Sequence, residues 1–190
     1  MNRNIVLCGV GGQGILLSAK IIATAAELAG HQVTTHEIHG MAQRGGSVTA
    51  QIRYGRDVHS PLILEGQADA LASLEACEAL RFGHYLRPGG LAVVSSQRLI
   101  PVTVSTGQAS YPDDLDQRLE QAFPRLVYRD FCALASDLGD VRMSNTIMLG
   151  ALATELTEIT AETWTQAMKL CLKPAFLNSN LAAFQVGAKA

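Results

Sequence analysis

Gly9-Val10-Gly11-Gly12-Gln13-Gly14 carries the spacing of a Gly-x-Gly-x-x-Gly turn in Gly9, Gly11 and Gly14. An apolar run precedes it and an amphipathic stretch follows, so the turn leaves a strand and opens a helix. Glycines at such a turn permit positive φ and close approach of the backbone to a ligand. The helix start then offers free N–H groups to an anion. Glu37 lies about 20 residues on, where a dinucleotide fold keeps its ribose-binding acid. Three readings stand side by side: a tight strand-to-helix turn alone, contact with an anion, a nucleotide or a coenzyme A phosphate, and an NAD-type cofactor. Against the last, Gln13 crowds the turn and no second nucleotide-binding half follows.

A second group is His39-Gly40-Met41-Ala42-Gln43-Arg44-Gly45-Gly46-Ser47. Its glycines let the backbone come close to something. Arg44 carries a planar fork of donors suited to a carboxylate or a phosphate. The alternative is an ordinary surface loop with Arg44 solvated and His39 bonded to backbone. His36 and His39 are the candidates for a general base, but no Ser or Cys nucleophile is placed to pair with either. There is no nucleophile elbow, no Walker lysine and no cluster of acids at metal-binding spacing. The sequence offers binding features without a complete catalytic set.

The elements that must hold these residues follow from periodicity and punctuation. Residues 4–9, 32–37, 48–54, 70–74, 91–95 and 126–128 read as strands. Residues 15–29, 77–86, 113–123 and 131–138 read as helices. Val48, Ala50, Ile52 and Tyr54 fall on one face of their strand; Thr49, Gln51 and Arg53 fall on the other. Pro88-Gly89-Gly90 marks a turn. From Ser144, a candidate helix cap, the chain reads as wholly helical: one helix to about Leu156, one between Thr160 and Pro174, and one over 178–186. The β-α-β opening predicts an α/β, doubly wound, mostly parallel Rossmann-like sheet with helices on both faces. The whole of 1–190 is expected to be one domain, with 1–143 as the sheet core and 144–190 as helices packed on it.

Composition narrows the partners. The 190 residues are 48% hydrophobic and only 17% charged, with a net charge of -2. That balance gives no electrostatic case for nucleic acid or an anionic membrane. The low charge content suits a chain with a permanent partner, or one that dimerises when isolated. No apolar run approaches the ~20 residues of a membrane span, and the first residues do not form a signal-peptide core. Cys8, Cys77, Cys132 and Cys171 are far apart and form no Cys-x-x-Cys pair. They read as buried small hydrophobes in a reducing cytoplasm.

Together, Gly9 to Gly14 and Ile38 to Val48 resemble the gamma-type subunit of 2-oxoacid:ferredoxin oxidoreductases. The His-Gly-Met-Ala-Gln-Arg-Gly-Gly form is most similar to the small subunit of the indolepyruvate-type enzymes. The resemblance extends through Ala70 to Glu75, Arg87 to Gly90, Asn145 to Leu152 and Asn178 to Gly187. Ser73 to Glu78 departs from it, because relatives often carry a proline-containing turn there. The resemblance implies oxidative decarboxylation of an aryl pyruvate by coenzyme A, giving an acyl-CoA, CO2 and reduced ferredoxin. It implies thiamine diphosphate with Mg2+ and [4Fe-4S] clusters in a large catalytic subunit, and none of these in this chain. It further implies that Gly11, Gly12, Gln13 and Gly14 face ligand or partner. His39, Met41, Gln43, Arg44, Gly45, Gly46 and Ser47 would form a loop at the subunit interface. No residue becomes a catalytic proton-transfer group, and the chain is expected to be inactive alone. A free-standing nucleotide-binding or regulatory module is the alternative.

Overall fold

A computed structural model describes residues 2–40 and 45–190. In chain order the elements are β1 (Arg3–Val10), α1 (Ile15–Leu28), β2 (Gln32–His39), β3 (Ser47–Gly55), β4 (Ala68–Ser73), α2 (Ala76–Phe82), β5 (Leu86–Ser95), α3 (Val102–Ser105), α4 (Leu115–Ala122), β6 (Leu126–Arg129), α5 (Phe131–Asp137), α6 (Ser144–Ala153), α7 (Ala161–Cys171) and α8 (Pro174–Gly187). Six strands form one sheet in the order β2-β3-β1-β4-β5-β6. The β1–β4, β4–β5 and β5–β6 pairs are parallel; β3 is antiparallel to both its neighbours. Five strands therefore share a direction and β3 opposes them, so the mostly parallel α/β fold is observed.

The β-α-β opening differs from expectation in one respect. β2 does not lie beside β1, because β3 is inserted between them. Only 7 residues separate β2 from β3, so β3 returns antiparallel and takes the place next to β1. The register runs from Arg3 opposite Tyr54 to Val10 opposite Ser47. The glycine turn after β1 and the chain entering β3 consequently meet at the same end of the sheet.

Two apolar clusters flank the sheet. One joins Ile5, Leu7, Ala50, Ile52 and Tyr54 to α1, α6 and α7. The other joins Val6, Cys8, Leu71 and Ala92 to α2 and α4. The alternation expected in β3 sends Val48, Ala50, Ile52 and Tyr54 into the first cluster. Its other face is not solvated, however: Thr49 and Gln51 are also buried. The segment after β3 folds back over them, with the Gln51 side chain accepting from Ile63 N–H at 2.8 Å and Arg53 donating to the carbonyls of Ser60 and Leu62.

Boundaries moved where backbone chemistry competed with periodicity. Pro88-Gly89-Gly90 lies within β5, where Gly89 has φ 75° and the ladder to β4 shifts register. It is an irregularity in a strand rather than a turn between elements. The helix expected over 77–86 ends at Phe82 and tightens into a 3-10 turn over Gly83–Tyr85. Ser144 does not cap α6. A 3-10 turn over Val141–Met143 runs into that helix, and Asp140 caps it by accepting from Arg142 N–H at 2.9 Å. Thr160 does cap α7, accepting from Thr163 N–H at 3.2 Å. α8 starts earlier than expected because Pro174 occupies its first turn.

Candidate functional site

β1 and β4 are neighbours, yet the chain leaves them toward opposite faces: α1 packs in one apolar cluster and α2 in the other. The crevice beyond the carboxyl ends of such a strand pair is where open α/β sheets bind ligands. The glycine turn borders it from β1, and Glu75, which caps α2, borders it from β4.

The turn is built by close approach. Gly14 has φ 83°, and a Cβ there would strike the Asn145 side-chain amide of α6. Asn145 in turn donates Nδ2–H to the Gly14 carbonyl at 3.3 Å. Gly12 has φ 103° with open space above it, so it presents bare backbone. Gln13 points inward. Its Oε1 accepts from Val10 N–H at 2.6 Å, and its Nε2 donates to the Leu74 carbonyl and to Gln97 Oε1, each at 2.8 Å. The crowding amide is thus a plug across the ends of β1 and β4, and its hydrogen-bonding capacity is used within the chain.

The second motif reaches this turn directly. Gly11 N–H donates to the Gly46 carbonyl at 2.7 Å, and Gly45 N–H donates to the Gly11 carbonyl at 3.4 Å. Ser47 begins β3 and donates its hydroxyl to Glu78 on α2. Met41, Gln43 and Arg44 lie outside the described residues. The structure therefore brings together Gly11, Gly12, Gln13, Gly14, Gly45, Gly46 and Ser47. His39 ends β2, is exposed, and lines the same edge.

Two clefts open on either side of the turn. The smaller, about 360 Å³, is lined by Gly11, Gly12, Gly14, Leu17, His39 and Gly40 among others. Ser18 is the first residue of α1 to bond back, to the Gly14 carbonyl. The preceding N–H groups head the helix and favour an anion there. Backbone N–H groups at such a helix start are suited to an anion. The larger cleft, about 840 Å³, is bounded by Gly11, Gly45, Ser47, Glu75, Glu78 and Tyr111, with apolar lining from residues 99–102.

Glu37 is not at the turn. It pairs with Ala50 near the outer edge of the sheet and lines a separate groove with Lys20 and Glu27. A ribose-binding acid needs its strand beside β1, and β3 holds that place, so the dinucleotide pattern is not assembled. Neither His36 nor His39 is hydrogen-bonded to a hydroxyl, thiol or carboxylate among the described residues; the Nδ1 of His36 is buried without a partner. Of the cysteines only Cys8 is fully buried, and burial pushes its thiol up to about 12. Cys77, Cys132 and Cys171 are half-buried, which corrects the expectation for three of the four. Among the described residues no three His, Cys, Asp or Glu side chains cluster to hold a metal. No helix among the described residues is long and apolar enough to cross a membrane.

Sequence reasoning missed Glu75, Gln97, Tyr111 and Asn145. Glu75 is 2% exposed and accepts from Glu78 N–H at 2.8 Å, Leu99 N–H at 3.2 Å and the Tyr111 hydroxyl at 2.9 Å. An acid directly after an apolar run, at the head of a helix, was the available signal. Asn145 and Gln97 carried none, because their partners are 131 and 84 residues away.

The pyruvate ferredoxin/flavodoxin oxidoreductase family profile matches residues 4–190. Indolepyruvate oxidoreductase subunit IorB of Thermococcus kodakarensis is 39% identical over 191 residues, covering 98% of this chain and 95% of that protein. The keto/oxoacid ferredoxin oxidoreductase gamma subunit of Geobacter sulfurreducens superposes with TM-score 0.72 at 23% identity, covering 98% of this chain and 96% of that one. The 2-oxoglutarate:ferredoxin oxidoreductase of Magnetococcus marinus, solved with 2-oxoglutarate, coenzyme A and succinyl-CoA bound, superposes with TM-score 0.72 at 21% identity. That match covers 99% of this chain but 30% of the longer one. The two superpositions establish a shared fold.

Proposed function

The chain belongs to the pyruvate ferredoxin/flavodoxin oxidoreductase family, and from that premise we propose that it is the small subunit of an indolepyruvate-type 2-oxoacid:ferredoxin oxidoreductase. The observation that carries this reading is the end-to-end likeness to the IorB subunit, at 39% identity. All of 1–190 acts as one gamma-type domain and works beside a larger catalytic chain in the cytoplasm.

The reaction of the complex is R-CO-COO⁻ + CoA-SH → R-CO-S-CoA + CO2 + 2 e⁻ + H⁺, where R carries an aryl group. The carboxylate carbon leaves as CO2, the sulfur bonds to the former keto carbon, and the two electrons pass to ferredoxin. Thiamine diphosphate with Mg2+ supplies the carbanion chemistry and [4Fe-4S] clusters the electron path, both in the large subunit. This chain supplies an edge rather than a reacting group. Gly11, Gly12 and Gly14 present backbone to coenzyme A, and Gln13 holds that backbone in shape. His39, Met41, Gln43, Arg44, Gly45, Gly46 and Ser47 meet the large subunit, with Arg44 reaching a phosphate or carboxylate.

Anaerobic reconstitution tests the reading. The chain alone should reduce no ferredoxin. With its large partner it should do so with an aryl pyruvate and coenzyme A. No turnover by the pair with any 2-oxoacid would overturn the function. Within an active pair, Arg44→Ala should raise the apparent KM for coenzyme A about 10-fold or more, the size of one lost charge-assisted hydrogen bond. An unchanged KM would remove Arg44 from the ligand.

A further inference from the structure

The segment Leu99–Tyr111 arches beside the larger cleft with both ends fastened to one buried carboxylate. Glu75 accepts from Leu99 N–H and from the Tyr111 hydroxyl. Between these ties the segment exposes Ile100 by 55% and Val102 by 75%. Apolar side chains this exposed, on a segment tied down at both ends, are presented to something without a large ordering cost. The cleft beneath is continuous with Gly11, Gly45 and Ser47 of the two glycine motifs.

Charge around the cleft selects the kind of partner. Arg81 pairs with Glu78, Arg118 with Asp114 and Arg98 with Asp116. These nearby arginines are matched by carboxylates, and Glu75 itself lines the wall. Among the described residues a polyanion would meet no unmatched arginine here, whereas an apolar protein surface would meet Ile100 and Val102.

The fold says which protein. In the Magnetococcus marinus enzyme it makes up 30% of a longer chain, while the IorB relative is covered to 95% of its length. On the small-subunit reading, what is continuous there is the large subunit here. We propose that Leu99–Tyr111 is a docking strap for the large subunit, and that an apolar protrusion of that subunit seats on Ile100 and Val102 and enters the larger cleft. This rests on the small-subunit reading above and extends the interface beyond the Arg44 loop.

The test compares I100E/V102E with Leu64→Glu, a 74% exposed control. Leu64 lies three residues before Gln67, whose carbonyl bonds Asn4 at the opposite end of β1. Binding to the large subunit is measured by anaerobic titration calorimetry. The double variant should bind at least 100-fold more weakly, and the control within about 2-fold of the unaltered chain. A second readout avoids any folding effect: in assembled complex, alkylation of a Val102→Cys variant, mapped by mass spectrometry, should slow at least 10-fold, and that of Leu64→Cys should not. Tight binding by I100E/V102E, or unslowed alkylation at position 102, overturns the strap while leaving the subunit reading in place. Failure of the unaltered chain to bind any large subunit overturns both.

Discussion

Gln13 shows how a residue can sit in a binding motif and serve the fold. Its amide meets a backbone N–H, a backbone carbonyl and the Gln97 side chain. Gln13→Leu keeps much of the volume but strands those groups, and an unpartnered buried polar group costs about 1–3 kcal/mol. A fall in Tm is expected by calorimetry; an unchanged Tm would show that water replaces the amide. A second cluster gives a pH prediction. Burial would raise the Glu158 carboxyl, but hydrogen bonds from Arg3 and Tyr54 outweigh it and leave the group below its ordinary 4.5. Burial first, and then the bond to Glu158, push the Tyr54 hydroxyl well above its ordinary 10. The lowered carboxyl contributes stability that is complete above about pH 4.5 and is lost as pH falls below it. The raised phenol contributes stability that is complete below about pH 10 and is lost as pH rises further. Tyr54→Phe should therefore cost about 1–2 kcal/mol near neutrality. Its deficit should narrow toward pH 3 in denaturant titrations. A deficit constant with pH would remove the coupling.

At the scale of elements, α6 and α8 approach so closely at Gly150 and Gly187 that no side chain fits at either position. A Cβ on Gly187 would meet the Ile147 carbonyl oxygen, with the Ala151 nitrogen 3.0 Å away; one on Gly150 would meet the Phe184 carbonyl oxygen. Gly187→Ala must push whole helices apart, so a loss of about 1–3 kcal/mol or more is expected. A Tm within a degree of the unaltered chain would contradict the packing. The helices themselves were legible because their apolar spacing is local. So were β1, β3 and the glycine turn, whose signals lie within a few residues. The placement of β3 between β1 and β2 was not, since strand order depends on long-range pairing. For the same reason the site was half legible. The sequence marked Gly11 to Gly14 and Gly45 to Ser47, whereas Glu75 and Asn145 gained their roles only when distant segments closed on them.

For the whole molecule, α6 is buried from Ser144 to Leu152 and has no solvated face. It packs on β4 and β5 on one side and on α8 on the other. Removing 174–190 would uncover it, so that truncation should abolish a single cooperative thermal transition; a sharp transition in the truncated chain would show that the helices fold apart from the sheet. The sheet also gives the molecule a handle end and a working end. Asn2 lies beside Asp57 at the amino end of β1, remote from the glycine turn. The Ala190 carbonyl instead lies against Arg129, at the carboxyl end of β6. An affinity tag or a surface tether is therefore not neutral in its placement. At the amino end it leaves the glycine-turn edge facing outward, while at the carboxyl end it crowds the side on which the large subunit is proposed to dock.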